Sequence, residues 1–598
     1  MNLLVSPVIA THAAGLSMDY LRQMAARMVY VFAAALLLLV RVGAGQDLLQ
    51  KCAGLTGISG KSLPNTTTSI DSARLNAAGT AQGNVPALPE HCEVVGKMNE
   101  RVGVNAQPYA IKFHLRLPSA WNGRFFFEGG GGSNGNLGTA YGNLQGQQRT
   151  NALTLGYAVV SQDAGHDNAV NNDPNRNGTT TFGFDPQARL DFGYNSYDQV
   201  AQAAKALIKA YYGRVPERSY YVGCSEGGRE GMMMSQRFPG YFDGVLACSP
   251  GFKLPKAALF GEVWDTQAYA EVAKSMGVYD RFGQPLLSKT FTDEDLDLAV
   301  QAILTVCDRL DELEDGIIDN FPACTAELLA PKLAAITCKG PKRNTCLAAG
   351  QVAALQKVFA GAKNSKGEML YADWAWDRGI GGRVGDTYNQ GWRFWKLGPY
   401  DAPLNIGLNA TLGAGAVSAV FTTPPTAVPP SGAGPMAYLL GIDFDRDAAK
   451  LYGESGVYTK SAWDFMMASS TDLSAFKNHG GKLVIVHGVS DPIFSIKDTI
   501  NWWNDLNQAN NGAAADFVRL FAVPGMNHCG GGPATDQFDA FNALVNWVEK
   551  SNAPERIVAT AGQNSPWPGR TRPLCVYPKQ ARYKGAGSIE DAGNFVCR

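Results

Sequence analysis

The chain has 598 residues, of which 45% are hydrophobic and 18% are charged, and its formal net charge at pH 7 is −1. This composition is typical of a globular protein with a large core. Because the charge is near zero and no basic stretch occurs, we expect no nucleic-acid partner and no stable membrane partner. The oligomeric state that we expect is a monomer.

Residues 1–46 have the pattern of a targeting segment. Arg22 and Arg27 precede an apolar run over residues 28–40, and small residues follow at 43–45. The run is short for a transmembrane helix and is typical of a secretory signal segment, with an uncleaved membrane anchor as the alternative. The sequence therefore predicts a secreted or periplasmic protein.

Strands and helices alternate along the first half of the chain. Apolar and polar residues alternate over 107–128 and a short buried strand is predicted at 156–161. Helical periodicity follows at 197–212, then a strand at 219–222 and a helix at 228–238. This alternation predicts an α/β fold with a mainly parallel sheet.

The turn between the last two of these elements reads Gly-Cys-Ser-Glu-Gly at residues 223–227. The Gly-x-Ser-x-Gly pattern alone is weak in a chain with 67 glycines. Here it lies between a strand and a helix, which is the context of a nucleophile elbow. We therefore predict that Ser225 is a nucleophile.

A nucleophilic serine needs a base and an orienting acid, which follow in the order Ser, acid, His in α/β-hydrolases. A clear strand at 481–487 is followed by Asp491, and a short strand at 520–523 leads into a glycine-rich loop with His528. Five other histidines are rivals for the base, namely His91, His114, His166, His479 and His487, but none of them follows a strand after a suitable acid.

The strand pattern breaks after about residue 252 and resumes near residue 476. We therefore predict an α/β-hydrolase catalytic domain made of residues 47–251 and 476–598, interrupted by a lid domain over residues 252–475. The lid contains two pairs of cysteines and a segment rich in proline and glycine.

The oxyanion that develops in ester or amide cleavage needs main-chain N–H donors. One is predicted to be the amide of Glu226, directly after the nucleophile. The other is predicted in the glycine-rich loop at residues 129–133, after an early strand. The alternatives for that loop are a flexible connection or a phosphate cradle, and no Gly-Lys-Ser/Thr follows it, which excludes a P-loop.

The chain has 11 cysteines, and export permits disulfides. Proximity along the chain favours four pairs, although the sequence does not determine connectivity: Cys52–Cys92, Cys307–Cys324, Cys338–Cys346 and Cys575–Cys597. If Ser225 and His528 meet, Cys224 and Cys529 are also brought together, so we predict a fifth disulfide between them. Cys248 would then be unpaired and buried.

Acidic residues recur at short spacing over residues 307–319, directly after a predicted helix at 293–306. Carboxylates and main-chain carbonyls at such spacing suit a hard cation, above all Ca²⁺. The loop is not an EF-hand, because Pro322 stands where the bidentate glutamate should be. The alternative is a solvated acidic loop. We expect a structural Ca²⁺ ion and no organic cofactor.

The chain resembles the tannase and feruloyl esterase family over nearly its whole mature length. The resemblance is carried by the Cys-Ser pair at 224–225, the acid, the His-Cys pair at 528–529 and the acidic loop. The resemblance implies Ser225, Asp491 and His528 as the triad, Gly132 and Glu226 as amide donors, and the disulfide Cys224–Cys529.

The resemblance also implies a metal site and an aromatic pocket. The implied calcium ligands are Asp308, Asp311, Leu313, Asp315 and Ile317, with Leu313 and Ile317 binding through their carbonyl oxygens. The implied aromatic contacts to the substrate ring are Phe494, Trp395 and Phe421.

One departure from the pattern concerns substrate charge. Family enzymes that act on terephthalate monoesters hold the free carboxylate with a lid arginine, but this chain has no Lys or Arg between Lys396 and Arg446. A buried carboxylate without a cation is costly. Either Arg393 or Lys396 substitutes, or the substrate lacks that carboxylate.

The sequence therefore predicts a secreted serine carboxylic-ester hydrolase that acts on esters of small aromatic acids. Mono(2-hydroxyethyl) terephthalate, cleaved to terephthalate and ethylene glycol, is the first substrate that the resemblance implies, and hydroxycinnamate or gallate esters are the alternative. A peptidase and a non-catalytic binding protein on the same fold are the remaining alternatives.

Overall fold

A computed structural model describes residue 23 and residues 47–58, 60–79, 87–146, 149–381 and 391–598. Its main feature is a nine-stranded sheet in the order β1-β2-β3-β5-β4-β6-β7-β8-β9. These strands are β1 Ser69–Asn76, β2 His91–Val102, β3 Pro108–Pro118, β4 Arg124–Glu128, β5 Ala158–Gln162, β6 Arg218–Cys224, β7 Gly244–Cys248, β8 Lys482–Gly488 and β9 Val518–Val523.

The sheet is antiparallel at one edge and parallel elsewhere. Strands β1, β2, β3 and β5 pair antiparallel, whereas β5, β4, β6, β7, β8 and β9 pair parallel. The mixed sheet confirms the predicted α/β class, and every strand predicted in the first half of the chain is present.

Helices cover both faces of this sheet. Besides helical residues 47–54, the α-helices of six or more residues in the described ranges are Ser196–Tyr212, Glu226–Arg237, Val263–Met276, Asp293–Cys307, Ala326–Ala335, Ala349–Phe359, Ala414–Ala419, Gly434–Leu440, Ile496–Ala509 and Ala540–Lys550. Alternate residues of one strand enter different cores: Phe125 and Phe127 pack on one face and Phe126 on the other. The two faces are therefore both buried, as a parallel sheet requires.

The direction in which strands are added reverses beside β4. From β4 the chain moves outward to β5 on one side, and then returns to place β6 on the other side. In open α/β sheets, ligands bind at such a switch point, beyond the carboxyl ends of the strands. The loop after β4 and the turn after β6 meet there, and these two segments contain Gly132 and Ser225.

Between β7 and β8 the described part of the chain forms helices and loops and adds no strand to the nine-stranded sheet. This segment corresponds to the predicted insertion at residues 252–475. Whether it is a separate lid domain, with those boundaries, stays a prediction.

Small strands that the sequence pattern did not predict lie near the carboxyl terminus. Strands β10 Gln537–Phe538, β11 Arg556–Thr560 and β12 Thr571–Cys575 form one antiparallel sheet. Strands β13 Ala581–Tyr583 and β14 Phe595–Cys597 form another.

Five disulfides are present, and they are the five pairs that the sequence favoured: Cys52–Cys92, Cys224–Cys529, Cys307–Cys324, Cys338–Cys346 and Cys575–Cys597. Cys248 is a free, buried thiol. Burial raises the pKa of this thiol to about 12, so it is protonated and unreactive at neutral pH.

The predicted signal segment at residues 1–46 lies outside the described residues, apart from residue 23. In the ranges that the structure describes, no helix combines the length and apolar character needed to cross a membrane.

Candidate active site

Ser225 stands at the turn between β6 and the helix Glu226–Arg237 with φ 64° and ψ −122°, a conformation that L-residues rarely adopt. The turn is possible because glycines flank it. A Cβ on Gly223 would lie 2.6 Å from the main chain of Gly227, and a Cβ on Gly227 would lie 2.6 Å from the Gly130 carbonyl oxygen. Strain at this position is typical of a nucleophile elbow.

His528 and Asp491 form a buried pair. The Nδ1 atom of His528 lies 2.9 Å from Oδ2 of Asp491, while Oδ1 of Asp491 accepts hydrogen bonds from the amides of Ile493 and Phe494 at 2.9 and 3.1 Å. Burial acts to raise the pKa of Asp491, but the neighbouring histidines outweigh it and hold this pKa well below its usual range. The carboxylate therefore stays ionised and orients the imidazole.

His487 lies behind this pair and is fully buried. Its Nδ1 is 2.9 Å from the Thr499 hydroxyl and its Nε2 is 3.0 Å from the Phe494 carbonyl oxygen, and Nε2 is also 3.5 Å from Asp491 Oδ2. These contacts support the acid loop, so His487 packs beside the acid.

A disulfide joins the two loops that carry Ser225 and His528. Cys224 precedes the serine and Cys529 follows the histidine, and their Cα atoms are 6.0 Å apart. The rings of Trp395 and Phe494 contact the His528 ring edge-on, with centroid separations of 5.4 and 5.6 Å.

The loop after β4 is fixed to the helix that follows Ser225 by Glu230. This fully buried carboxylate accepts hydrogen bonds from the Gly130 amide at 3.0 Å, from Asn134 Nδ2 at 2.7 Å and from the Tyr221 hydroxyl. Asn134 in turn accepts a hydrogen bond from the Gly131 amide at 2.8 Å. Glu230 was not predicted from the sequence, although its position in the second turn of the helix after the serine was an available signal.

The side chain of Glu226 is directed into the core and forms a buried pair with Arg229 at 2.8 Å between Oε2 and Nε. Burial raises the pKa of Glu226 to about 7, although Arg229 opposes this shift. The main-chain amide of Glu226 stays the predicted oxyanion donor, since the side chain is paired with Arg229.

A cleft of about 470 Å³ opens above Ser225. Its walls contain six of the residues predicted for the site: Gly132, Ser225, Glu226, Trp395, Phe421 and Phe494. They also contain residues that the sequence analysis did not single out: Ser133, Leu254, Ala258, Glu262, Leu408, Leu412, Gly413, Ala416 and Ile493.

Neither of the cations considered as a substitute for the missing arginine lines this cleft in the described ranges. The Arg393 guanidinium pairs with Asp293 at 2.8 Å and donates to the Phe291 carbonyl oxygen at 2.6 Å. Lys396 is completely buried against Asp265. The cleft wall contains an acidic side chain instead, that of Glu262.

A second buried carboxylate joins the segment between β7 and β8 to the acid and base loops. Asp377 Oδ2 accepts hydrogen bonds from the Ser490 hydroxyl at 2.8 Å and from the Gly525 amide at 2.6 Å. Ser490 is adjacent to Asp491, and Gly525 begins the loop that leads to His528. Arg378, the next residue, donates to the Gly316 carbonyl oxygen in the acidic loop at 2.9 Å.

In the acidic loop, main-chain amides satisfy two of the predicted calcium ligands. Asp308 accepts from the Gly316 amide at 3.0 Å, and Asp311 accepts from the amides of Leu313 and Asp319 at 3.2 and 2.8 Å. Burial, reinforced by neighbouring carboxylates, raises the pKa of Asp308 to about 6 and of Asp311 to about 7.

The remaining predicted side-chain ligand, Asp315, contacts Arg572. In the described residues, no group of three or more His, Cys, Asp or Glu side chains converges closely enough to hold a metal ion. Carboxylates that repel one another in a partly buried loop nevertheless have the donor chemistry of a hard cation site. The calcium ligand set stays a prediction.

An elbow serine at the switch point of a mixed α/β sheet, beside a histidine–aspartate pair, defines an α/β-hydrolase-like protein. The family described as tannase and feruloyl esterase matches residues 92–598. The chain belongs to the tannase and feruloyl esterase family.

Two sequence relatives illustrate the range of this family. The chain is 48% identical over 547 residues to mono(2-hydroxyethyl) terephthalate hydrolase of Piscinibacter sakaiensis, and the match covers 89% of each chain. It is 29% identical over 509 residues to a probable feruloyl esterase of Arthroderma benhamiae, and that match covers 83% of each chain.

Solved structures share the fold at lower identity. Feruloyl esterase B from Aspergillus oryzae superposes with a TM-score of 0.67 at 22% identity, covering 92% of this chain and 100% of that one. Tannin acyl hydrolase from Aspergillus niger gives a TM-score of 0.63 at 19% identity, covering 92% and 95%. At these identities the likeness concerns the fold alone.

Proposed function

We propose that the protein is a serine carboxylic-ester hydrolase that acts on esters of small aromatic acids. The observation that carries the proposal is the placement of Ser225 at a strained elbow, covalently tied through Cys224 and Cys529 to the loop of the Asp491-bound His528. A nucleophile, an acid and a base that follow one another in this order along the chain, each at the end of a strand, are typical of α/β-hydrolase esterases.

In the proposed mechanism, the Ser225 hydroxyl attacks the ester carbonyl carbon while His528 accepts its proton. The amides of Gly132 and Glu226 stabilise the oxyanion of the tetrahedral intermediate. His528 then protonates the departing alcohol, activates a water molecule that attacks the acyl-enzyme, and returns a proton to Ser225. Asp491 keeps the imidazole oriented and stabilises its protonated form.

The acyl group is proposed to occupy the cleft lined by Trp395, Phe421 and Phe494, because aromatic rings pack favourably against these apolar side chains. Residues 252–475 are proposed to act as the lid that covers this group. Mono(2-hydroxyethyl) terephthalate is the first substrate to test, since a relative with 48% identity is named for its hydrolysis.

Hydroxycinnamate and gallate esters are the second candidate substrates. The specific observation in their favour is that the described cleft wall contains no lysine or arginine to hold a terephthalate carboxylate. The match to a family of tannases and feruloyl esterases supports them at family level.

The test of the proposed function is a comparison of wild type, Ser225→Ala and Asp491→Asn on these esters. We expect Ser225→Ala to lower kcat by about 10³-fold or more and Asp491→Asn by about 10⁴-fold, with both proteins folded. Hydrolysis that survives the Ser225→Ala substitution, or cleavage of the matching amides but not of the esters, would refute an esterase centred on this serine.

Two further parts of the proposal concern the whole molecule. Asp308, Asp311 and Asp315, with the carbonyls of Leu313 and Ile317, are proposed to bind a structural Ca²⁺ ion, which would neutralise the repulsion between these carboxylates. Export is proposed on the basis of five disulfides, which persist in oxidising compartments.

A further inference from the structure

The wall of the cleft carries a carboxyl group that the proposed ester chemistry does not use. Leu254, Ala258 and Glu262 are spaced four residues apart on one helical run and all three line the cleft. The run starts beside the nucleophile, because the Gly251 amide donates to the Ser225 carbonyl oxygen at 3.1 Å. Glu262 therefore lies roughly two helical turns beyond Leu254, toward the end of the cleft away from Ser225.

Glu262 is only 7% exposed, and its carboxyl group packs against the opposite wall. A Cβ on Gly413 would lie 2.7 Å from Glu262 Oε2, so Gly413 makes the room that this carboxyl occupies. Within the described residues, the carboxyl has no hydrogen-bond or ion-pair partner. Because Glu262 also lines the cleft, a group of a bound ligand can meet its carboxyl there.

Among the described residues, the titratable neighbours of Glu262 are Lys396, Asp265 and Tyr371. Lys396 lies behind Glu262, but the ammonium is held by Asp265 and sits 4.1 Å from the centroid of the Trp374 ring, away from the cleft. Tyr371 is the third titratable neighbour. Burial raises the pKa of Glu262 to about 7, with Asp265 adding to the shift and Lys396 opposing it.

We propose that Glu262 determines which substituent is accepted at the far end of the acyl ring, and this inference rests on the proposed function. A neutral hydrogen-bond donor there, such as a hydroxyl group, donates to Glu262 in either protonation state. An anionic carboxylate there is accepted only when Glu262 is protonated and donates the hydrogen bond itself.

The sign of the resulting pH dependence follows from this chemistry. Below about pH 7 Glu262 is neutral and shares its proton with a substrate carboxylate; above it, two anions face each other in a site of low polarity. The preference for a charged ring over a neutral one therefore falls as pH rises. The proposed triad cleaves the same ester bond in both substrates, so its own pH dependence cancels in the ratio.

The experiment compares kcat/KM for mono(2-hydroxyethyl) terephthalate and for the 2-hydroxyethyl ester of 4-(hydroxymethyl)benzoic acid. These esters share the alcohol and differ only in the far substituent, and neither substituent titrates between about pH 5.5 and about pH 8.5. The proteins are wild type, Glu262→Gln and the control Glu271→Gln. Glu271 lies in the next helix, Val263–Met276, and its side chain is 68% exposed.

For wild type and Glu271→Gln, we expect kcat/KM for the charged ester, divided by kcat/KM for the neutral ester, to fall about tenfold or more from about pH 5.5 to about pH 8.5. In Glu262→Gln the ratio should be flat and, at the alkaline end, about tenfold above wild type, chiefly through KM. A wild-type slope retained by Glu262→Gln would overturn the proposal.

Two further measurements keep the proposal testable whatever the first variant does. Gly413→Ala pushes a methyl group into the Glu262 carboxyl and should also flatten the slope, and thermal melting shows whether each variant is folded. Calorimetric binding of both esters to Ser225→Ala should show the same pH dependence without turnover. If wild type hydrolyses neither ester, the proposed function fails, whereas the binding data still decide the role of Glu262.

Discussion

Cys224 and Cys529 are joined by a disulfide across 305 residues of sequence, with a Cα–Cα distance of 6.0 Å. The bond links the turn after β6 to the loop after β9. These two segments carry Ser225 and His528, so a covalent link limits how far the proposed nucleophile and base can separate.

Replacement of both cysteines by serine, Cys224→Ser with Cys529→Ser, should lower kcat about 10- to 100-fold while changing KM less, because proton transfer depends on the serine–histidine distance. It should also lower the free energy of unfolding by about 2–5 kcal/mol. Steady-state kinetics and denaturant unfolding measure the two effects.

The matched control is Cys338→Ser with Cys346→Ser. The disulfide that it removes joins two cysteines only 8 residues apart in sequence, and neither of them lines the cleft. This variant should lose less stability and keep its kcat. Equal losses of kcat in the two double variants would show that the Cys224–Cys529 bond acts on folding alone.

Glu230 fixes the glycine loop after β4, so it is a positioning residue for the proposed oxyanion donors. Glu230→Gln keeps the size of the side chain but replaces an acceptor oxygen with a donor, which cannot satisfy both the Gly130 amide and Asn134. We expect a loss of about 10- to 100-fold in kcat with little change in KM.

Glu555→Gln is the control for this variant, since Glu555 forms exposed ion pairs with Arg519 and Lys579. Its kinetics should match wild type. A Glu230→Gln protein that loses stability but keeps wild-type kcat would contradict a role in positioning the oxyanion loop.

Asp377 couples the segment between β7 and β8 to the acid and base loops. Asp377→Asn replaces one carboxylate oxygen with a donor. Either Oδ2, which accepts from the Ser490 hydroxyl and the Gly525 amide, or Oδ1, which accepts from the Arg378 amide, is then lost, leaving a buried donor unpaired at a cost of about 1–3 kcal/mol. We expect the melting temperature to fall and kcat to fall about tenfold, since both loops carry proposed catalytic residues.

Asp373→Asn is the comparison, because Asp373 is in the same segment but is 43% exposed and pairs with Lys497. It should change kcat less than twofold. The coupling would be disproved if the two variants had the same kcat and the same melting temperature.

Calcium removal tests the acidic loop. If Asp308, Asp311 and Asp315 hold a structural ion, chelation should lower the melting temperature, and added Ca²⁺ should restore it, because a ligand bound only to the folded state stabilises it. The initial rate should change less than the melting temperature does. An immediate loss of rate without a change in melting would contradict a structural site.

Much of the fold and of the site was predictable from local patterns. The turn around Ser225 is recognisable because glycines at 223 and 227 are required wherever main chains approach as closely as they do there. Asp491 and His528 were predictable because each follows a buried parallel strand, and strand ends of one sheet meet at one edge. The strands β11 and β12 were missed because each has only five residues, and because β12 contains Pro573, a residue that argues against a strand in a sequence pattern.

The sequence by itself predicted the α/β class, the candidate serine, acid and histidine in their order, and the partners of most cysteines by their spacing. It could not determine what the acyl end of the cleft contains. Glu262 and Gly413 are 151 residues apart in sequence, and Glu262 faces the cleft only because the helical runs Ala257–Glu262 and Asn409–Gly413 pack together. Such long-range contacts decide which side chains line the cleft. Local sequence patterns do not predict these contacts, because packing rather than periodicity brings the residues together.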